Sequence, residues 1–591
     1  MGIVSSNSAA NVSGLITHSP APHAFIAAAL DGKISDVERG LDEGVRVNSQ
    51  GEHGNTALIA ASYYGHNAVC ELLITRGCNV NMQNKDGDTA LIVALRGGQK
   101  EICELLITRG SKIDMQNKNG DTALMWASGI EQVCELLISR GCKIDMQNKT
   151  GDTALMKASM WGREAVCELL ITRGCNIDMQ NKIGWTALMF ACVSSEGASS
   201  EGRRAVCELL ITRGCNVDMQ SRNGSTALIL AIDNGHEEVC ELLIIRGCNV
   251  GIQDDCGNTA LIWASGRCRK FLEVCELLIT RGCNIDMQNK YGGTALMKAS
   301  DQGRKEVCEL LITRGSKVDM QNNKGDTALI LASENGYKEV CELLITHGCN
   351  LDMQNNKGDT ALMYAFKKGH KEVCKLLITR GCNLDMQNNK GDTALILASD
   401  KGHKEVCELL ITRGSKVDMQ NKDGNTALIL DSDKGRKEVC ELLITRGSKV
   451  DMQNNKGDTA LILASMYGHK EVCELLITRG SKVDMQNNKG STALTLASDK
   501  GHKEVCELLI TRGSTVDIHN KDGDTALMAA SASGKIPVIT HSLTHSLTYF
   551  YFYSLTHFNS LTHTLTQSRT YFSFTHSLTR LGLVVECHRR N

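Results

Sequence analysis

Apolar positions recur along most of the chain with a period of 33 residues, in a unit centred on Thr-Ala-Leu that appears fifteen times from Thr56 to Thr525. In most units a short run rich in Ala and Leu precedes a run of the form Val-Cys-Glu-Leu-Leu-Ile. The i, i+3, i+4 spacing of Val and the two Leu predicts one apolar helix stripe, and Cys and Ile add a second. Because a helix that is apolar on two sides fits between neighbours, the pattern predicts a solenoid of stacked helical units.

Polar and glycine residues between the apolar runs predict where the elements begin and end. In the unit 387–419, Asn-Lys-Gly-Asp predicts a turn, and the hydroxyl of Thr393 can cap a first helix. Gly402 is expected to end that helix, and Gly414 to end a second one in left-handed geometry. We expect the His of the Gly-His turn between the helices, here His403, to cap its own unit. Each unit is therefore predicted as turn, helix, turn, helix.

This unit resembles the ankyrin repeat in its length, in its Gly-x-Thr-x-Leu start and in its Gly-His turns, such as Gly65-His66 and Gly369-His370. Thr-Ala-Leu stands where the family has Thr-Pro-Leu, and an apolar residue usually replaces the family's next His. The resemblance covers about residues 20–540. It implies an all-α ankyrin-repeat solenoid, a curved superhelix with short β-turn fingers that binds proteins through its concave face and finger tips.

The sequence divides into four predicted regions. Residues 1–20 are expected to be a disordered N-terminus, and residues 21–50 keep the two-helix rhythm with charged residues in place of Cys-Leu-Leu, as in an N-terminal capping repeat. The array covers 51–539. Residues 540–591 repeat Ser-Leu-Thr-His and are expected to be disordered. We interpret this tail as translated simple-sequence DNA, so that the array breaks off at Ile539 as a fragment of a longer protein; a Ser/Thr-rich interaction tail is the alternative.

Composition limits the partners and the compartment. The 65 Lys and Arg nearly balance the 67 Asp and Glu, which argues against nucleic acid as a partner. Fourteen of the 26 cysteines share one repeat position, where stacked helices would hold them ~8–10 Å apart, too far for disulfides. These thiols are therefore predicted to be small buried hydrophobes in a reduced, cytoplasmic protein. The absence of a signal peptide and of 18 consecutive apolar residues predicts no transmembrane segment.

The array departs from its period at three places, all in the N-terminal half. The spacing from Thr122 to Thr153 is two residues short, that from Thr186 to Thr226 is seven long around 194–201, and that from Thr259 to Thr294 is two long. All three are predicted to change the loop between the two helices. Insertions in repeat proteins collect on one face, which is often the binding face.

Aromatic residues are concentrated in the same half, which contains all four Trp. Exposed aromatics at turns and helix ends are good interface anchors, so we predict partner binding at Tyr63, Tyr64, Trp161, Trp185 and Tyr291. Core packing is favoured instead for three residues at a first-helix position that is Leu in most later units, namely Trp126, Phe190 and Trp263.

Charged residues interrupt the apolar pattern at a few places. Lys157 and Lys298 occupy the same mostly-Leu position and are expected either to extend toward solvent or to mark it as partly buried. Asp431 stands where every other unit has Ala, so that unit is predicted to be a weak point of the stack.

The sequence carries no nucleotide-binding loop, zinc-protease motif or kinase catalytic loop, so we predict no enzyme activity and no cofactor or metal. The favoured hypothesis is an intracellular scaffold or adaptor that binds proteins through its N-terminal half. Alternatively, the chain is the ankyrin segment of a larger enzyme or channel whose other domains are missing. A third hypothesis is a lipid-tethered adaptor at the inner face of a membrane, since Gly2 in Met-Gly-Ile-Val-Ser-Ser fits the N-myristoylation pattern.

Overall fold

The computed structural model of the chain describes residues 20–193, 199–267 and 271–535. Those residues divide between two compact units, one ending at Leu376 and the other starting at Leu377. Gly2, Ile539, the predicted tail 540–591 and the insertion residues 194–198 lie outside the described residues, so what was expected of them stays a prediction.

Each repeat contains a first helix, which follows the Thr of Thr-Ala-Leu, and a second helix, which carries the Cys-Glu-Leu-Leu run. The first helices are α1 Pro20–Leu30, α3 Ala57–Tyr64, α5 Ala90–Arg96, α7 Ala123–Trp126, α9 Ala154–Met160, α11 Ala187–Ala191, α13 Ala227–Asn234, α15 Ala260–Ser265, α17 Ala295–Asp301, α19 Ala328–Asn335, α21 Ala361–Lys368, α23 Ala394–Lys401, α25 Ala427–Asp433, α27 Ala460–Met466, α29 Ala493–Lys500 and α31 Ala526–Ala532.

The second helices are α2 Ile34–Asp42, α4 Asn67–Thr75, α6 Lys100–Thr108, α8 Glu131–Ser139, α10 Glu164–Thr172, α12 Ser200–Thr212, α14 Glu237–Ile245, α16 Leu272–Thr280, α18 Lys305–Thr313, α20 Lys338–Thr346, α22 Lys371–Thr379, α24 Lys404–Thr412, α26 Lys437–Thr445, α28 Lys470–Thr478 and α30 Lys503–Thr511. A 3₁₀ turn, Ala127–Gly129, follows α7 in the shortened repeat. The described part of the chain has isolated β-bridges at Gln83–Thr89 and Gln253–Thr259 but no strand, so the all-α solenoid prediction is confirmed.

The helix boundaries follow the caps that the sequence predicts. Thr393 Oγ1 accepts a hydrogen bond from the Ile396 amide at 3.2 Å, which satisfies one of the free amides at the start of α23. Gly402 ends that helix with φ 76°, and Gly414 follows α24 with φ 93°. A side chain in this left-handed region would be strained, which explains why glycine recurs at both positions.

The cysteine position forms the buried side of the second helices. Cys407 is fully buried between Val406 and Leu410, which are also buried, and all 24 cysteines of the described segments are free thiols. Burial raises the pKa of Cys407 to about 12, so its thiol stays protonated at neutral pH. A protonated, buried thiol is a packing group rather than a nucleophile. The prediction of a reduced thiol ladder is confirmed.

In four of the Gly-His turns the histidine caps the preceding repeat, so the expectation that each caps its own unit is wrong for His66, His370, His469 and His502. His66 Nε2 donates to the Leu30 carbonyl at 2.9 Å, and His469 Nε2 donates to the Asp433 carbonyl at 3.0 Å. Each acceptor is a free carbonyl at the end of the preceding first helix. The ring reaches across the stack, and it therefore stabilises the contact between neighbouring repeats.

The seven-residue insertion alters a helix as well as a loop. α12 has 13 residues, whereas its neighbours α10 and α14 have nine. Ser199 Oγ accepts from the Gly202 amide at 3.0 Å and caps the lengthened helix. The expectation that the insertion changes only the loop between the helices is therefore wrong for residues 200–203.

Candidate functional site

The six residues before each capping Thr form a turn that we call the finger. Adjacent fingers are joined by side-chain amides: the Asn at the second finger position donates Nδ2 to the last finger residue of the preceding repeat. Asn148 donates to Asp121 at 2.7 Å, and Asn355 donates to Asp326 at 2.7 Å. We call this series of hydrogen bonds the finger ladder. Because buried carboxylates and amides need partners, the ladder stabilises the stack while satisfying its own polar groups.

Three of the four ladder steps between residues 185 and 322 lack the required pair of side chains. Trp185 faces Ser221, Ser225 faces Asp254, and Gly293 faces Asn322 in place of the usual Asp and Asn. An indole can only donate and glycine has no side chain, so the first and third steps have no side-chain acceptor, and the second step has Asp254 where the amide donor should be. We call residues 185–322 the interrupted stretch. One later finger ends in Ser491 and so has neither Asp nor Asn at its last position.

The backbone of the interrupted stretch keeps the regular geometry. The Arg222 amide donates to the Ile183 carbonyl at 3.0 Å, and the Asn323 amide donates to the Tyr291 carbonyl at 2.9 Å. In a regular pair of fingers, the Lys149 amide donates to the Asn119 carbonyl at 2.8 Å. The substitutions therefore change the side chains that the fingers present and leave their stacking intact.

The interrupted stretch and its edge present apolar side chains on the fingers. Tyr291, a predicted anchor, is 67% exposed at a finger tip, and Ile183, at the equivalent tip, is 52% exposed. Trp185, also a predicted anchor, is half-buried and packs edge-on against Phe190 with ring centroids 5.2 Å apart. The sequence analysis did not single out Ile183, although an apolar residue at a turn position was a signal that could have found it.

The other predicted anchors lie at the ends of first helices in earlier repeats. Tyr63 and Tyr64 are exposed and pack edge-on with centroids 5.0 Å apart, and Tyr64 stacks on His66 at 6.4 Å. Trp161 is exposed at the end of α9. Within the described residues no ring contact joins the Tyr pair, Trp161, the Trp185–Phe190 pair and Tyr291. The five predicted anchors therefore belong to separate groups.

Core packing was expected at one first-helix position for Trp126, Phe190 and Trp263; the expectation is wrong for exposed Trp126 and met only in part by the other two, which are half-buried. Trp126 is 38% exposed, with the Arg96 guanidinium carbon 5.3 Å from its ring centroid. Phe190 is half-buried, and half-buried Trp263 donates Nε1 to Asp254 Oδ2 at 2.8 Å. Leu331 at this position is also half-buried, whereas Leu230 is buried, and the side chains of Trp263 and Lys157 contact the finger of their own repeat.

Two lysines share that position but have different surroundings. Lys157 Nζ lies 3.0 Å from Asp152 Oδ2, and the lysine is half-buried. Burial opposes ionisation of Asp152, but hydrogen bonds from Asn181, Lys157 and Thr150 hold the pKa of its carboxyl below the ordinary value. Lys298 is exposed, and Gly293 stands in the place of the aspartate.

A cleft of about 360 Å³ opens beside Gly293. Apolar side chains of Trp263, Met297 and Leu331 line it together with Lys298 and the amide of Asn322. This cleft was not predicted from the sequence, because side chains from three successive repeats form it. Its signal was Gly293, a residue without a side chain at a position that is usually Asp or Asn.

Among the described residues, three acidic side chains form a cluster that could hold a cation. Glu237 and Glu241 of α14 and Glu273 of α16 bring carboxylate oxygens within 4.8 Å of one another. Exposed acidic groups of this kind are common without a bound ion, and no further feature of these residues points to a ligand. Among the described residues, no helix has both the length and the apolar character needed to cross a membrane.

Comparison with known families identifies the repeats. A family model described as ankyrin repeats in three copies matches overlapping segments from residue 24 to residue 541, beginning with 24–117 and ending with 472–541. The search of curated proteins finds no match. Together with the stacked helix pairs and the fingers, the family match across nearly the whole length shows that the chain belongs to the ankyrin-repeat family.

Proposed function

We propose that this chain is a non-enzymatic, cytoplasmic scaffold or adaptor that binds a partner protein through the fingers and first helices of its early repeats. Ankyrin repeats are generally protein-interaction modules. Beyond this general role, we propose where on the chain the partner binds and that the chain has no catalytic activity. It is supported by the interrupted stretch, where the backbone stacks regularly while the ladder side chains are replaced.

The observation that carries the proposal is the exposed apolar surface on the fingers. Tyr291 and Ile183 extend at finger tips where most repeats have polar residues. An apolar side chain at a turn tip stabilises nothing within the stack, whereas it gains ~1.5–3 kcal/mol when a partner buries it. Aromatic residues in such positions often dominate binding energy.

The test replaces the early anchors by the residues of the regular fingers. Trp185→Asp and Tyr291→Lys give each finger the side chain that later repeats carry at those positions, so the fold should be kept. Tyr467→Ala is the matched control, because Tyr467 is 51% exposed at the end of α27, in the position that Trp161 occupies after α9.

Full-length chains carrying each change are compared by quantitative affinity purification from cell extract, with circular dichroism as the fold control. We expect the double variant to lose at least one partner that wild type and Tyr467→Ala both retain. A folded double variant that keeps every partner of wild type would overturn the proposal.

A further inference from the structure

We propose that the cleft beside Gly293 binds a carboxylate of an extended peptide from the partner protein, with an apolar side chain of the same peptide against Trp263 and Leu331. This inference rests on the proposed function and names the chemistry of one subsite. The cleft has a volume of about 360 Å³, which is enough for one or two side chains of a partner but small for a folded element.

An earlier repeat shows the same site with its carboxylate in place. Asp152 accepts a hydrogen bond from Asn181 Nδ2 at 2.8 Å, and its Oδ2 lies 3.0 Å from Lys157 Nζ. Asn322 and Lys298 occupy the positions of Asn181 and Lys157 in their own repeats. Gly293 replaces the aspartate, so the amide and the ammonium remain while the carboxylate that they would hold is absent. A carboxylate from outside can take its position.

The amide of Asn322 is oriented by its own finger. Its Oδ1 accepts from the Lys324 amide at 2.8 Å and from the Asp326 amide at 2.9 Å. Both bonds use the oxygen, so Nδ2 is the group left for a ligand. In the regular repeats the same nitrogen donates to the closing aspartate of the preceding finger, as Asn355 does to Asp326. Asn322 therefore supplies a fixed donor for a carboxylate oxygen.

The charges around the cleft favour an anion at Lys298. Among its lining residues Lys298 is the sole cation and Asp301 the sole anion. Neutral amides hold Asp301: Gln302 Nε2 donates to it at 2.9 Å, and Asn335 Nδ2 donates to it at 3.2 Å. No carboxylate of the described residues pairs with Lys298, so its ammonium is available to a ligand. The ammonium of Lys298 and the amide of Asn322 favour an acidic residue of the ligand, and the apolar side chains beside them favour an apolar residue next to it.

The chain offers a direct way to close the site. Gly293 does not have a positive φ, so a side chain is allowed there. An added Cβ would lie 3.3 Å from Asn289 Oδ1, a contact that a small shift of that amide relieves. In Gly293→Asp the new carboxylate should bind Lys298 and Asn322 as Asp152 binds its own partners. The variant therefore fills the cleft with the group that the proposed ligand would supply.

The probe is a phage library of random twelve-residue peptides, selected on the full-length wild-type chain and depleted on the full-length Gly293→Asp chain. We expect the remaining peptides to share an Asp or Glu within two residues of a large apolar residue. Synthetic copies should bind wild type at least ~10-fold more tightly than Gly293→Asp or Lys298→Glu, and Lys298→Arg should retain binding.

Two further arms identify the carboxylate. A peptide with Gln in place of the shared acidic residue should bind ~10-fold more weakly, and a C-terminal amide should bind as well as the free acid if a side chain is used. Loss of binding on amidation with no effect of Gln would assign the terminal carboxylate instead. Both results support a carboxylate subsite.

The inference is overturned if no peptide separates wild type from Gly293→Asp, or if the separated peptides are basic or uncharged. That failure differs from failure of the proposed function. If Trp185→Asp with Tyr291→Lys still removes a partner that Gly293→Asp retains, the early repeats bind a protein, but the cleft is not where a carboxylate is held.

Discussion

The fingers of the second unit and those of the interrupted stretch have the same backbone and opposite side-chain chemistry. In residues 387–487, the regular stretch, successive fingers are joined by Asn421 to Asp392 at 2.9 Å, by Asn454 to Asn425 at 2.9 Å and by Asn487 to Asp458 at 2.7 Å. In residues 185–322, three of the four corresponding steps lack the acceptor, the amide donor or both. The regular fingers bind each other through side-chain amides, whereas the interrupted fingers lack most of these bonds and expose the apolar side chains of Ile183 and Tyr291.

The comparison shows how a repeat protein can change the side chains on its fingers without changing its fold. Helix packing and the backbone bonds between fingers keep the stack in register, so a ladder side chain can be replaced at a modest cost in stability. In a solenoid each repeat contacts only its neighbours, which keeps such a change local.

The largest expected effect concerns a defect within the regular stretch. Asp431 is fully buried, and burial raises its pKa to about 7 from an ordinary 3.8, although Ser399 and Arg436 partly offset this. Arg436 Nη1 lies 3.5 Å from Asp431 Oδ1 but donates to the Ser399 carbonyl. Asp431→Ala restores the residue of the other repeats, so we expect it to raise the free energy of unfolding by about 2–4 kcal/mol at pH 8.

The stability gained by Asp431→Ala should increase with pH. Between pH 4 and pH 7 the folded carboxyl binds a proton that the unfolded one has released, so the destabilisation by Asp431 grows with pH and levels off above about 7. The gain from Asp431→Ala should therefore be about half as large or less at pH 5. Urea denaturation with hydrogen exchange of residues 427–445 measures it. A gain that is equal at both pH values would contradict the buried-carboxyl account.

The next prediction compares the same Asn→Asp substitution in the regular stretch and in the interrupted stretch. Asn421→Asp sets a carboxylate against buried Asp392, so we expect a loss of about 2–3 kcal/mol from repulsion and a lost hydrogen bond. Asn322→Asp faces Gly293 and should cost less than about 0.5 kcal/mol. Both substitutions keep the side-chain oxygen that accepts the amide bonds of its own finger. The difference between their losses in unfolding free energy therefore measures the contribution of the ladder bond. Equal losses of unfolding free energy in urea denaturation would show that the ladder bond contributes no more to stability in the regular stretch than in the interrupted stretch.

A smaller effect concerns thiol chemistry. Cys256 is an exposed finger residue of the interrupted stretch, whereas Cys407 is buried with a pKa raised to about 12. In the native chain at pH 8, iodoacetamide should label Cys256 at least ~100-fold faster than Cys407, as followed by mass spectrometry of peptides. Comparable labelling would mean that the regular repeats open readily in the native state.

The sequence alone predicted those features that depend on residues within a single repeat. Thr393, Gly402 and Gly414 act within their own repeat, so the pattern placed α23 and its ends correctly. The contact of His66 with the Leu30 carbonyl was missed because its acceptor lies in another repeat. The exposure of Trp126 was missed because a position that accepts Leu need not be buried on every side.

The candidate surface was predicted only in part. Tyr291 and Trp185 were found because aromatic residues at turn positions stand out within a single repeat. The cleft was not found, since it requires three facts together: Lys298 on one helix, Gly293 in one finger and Asn322 in the next. Side chains that meet across the stack become visible only when equivalent positions are compared from repeat to repeat.

The most direct test of the account restores the ladder in the full-length chain. The variant combines Trp185→Asp with Ser221→Asn, Ser225→Asp with Asp254→Asn, and Gly293→Asp, and its partner set is compared with that of wild type by quantitative affinity purification. The account predicts a chain at least as stable as wild type, because three new ladder bonds of about 0.5–1.5 kcal/mol each outweigh the bond from Trp263 Nε1 that Asp254→Asn removes. It also predicts that partner binding is lost. A stable restored-ladder chain that keeps every partner would contradict the claim that the interrupted stretch is the binding surface.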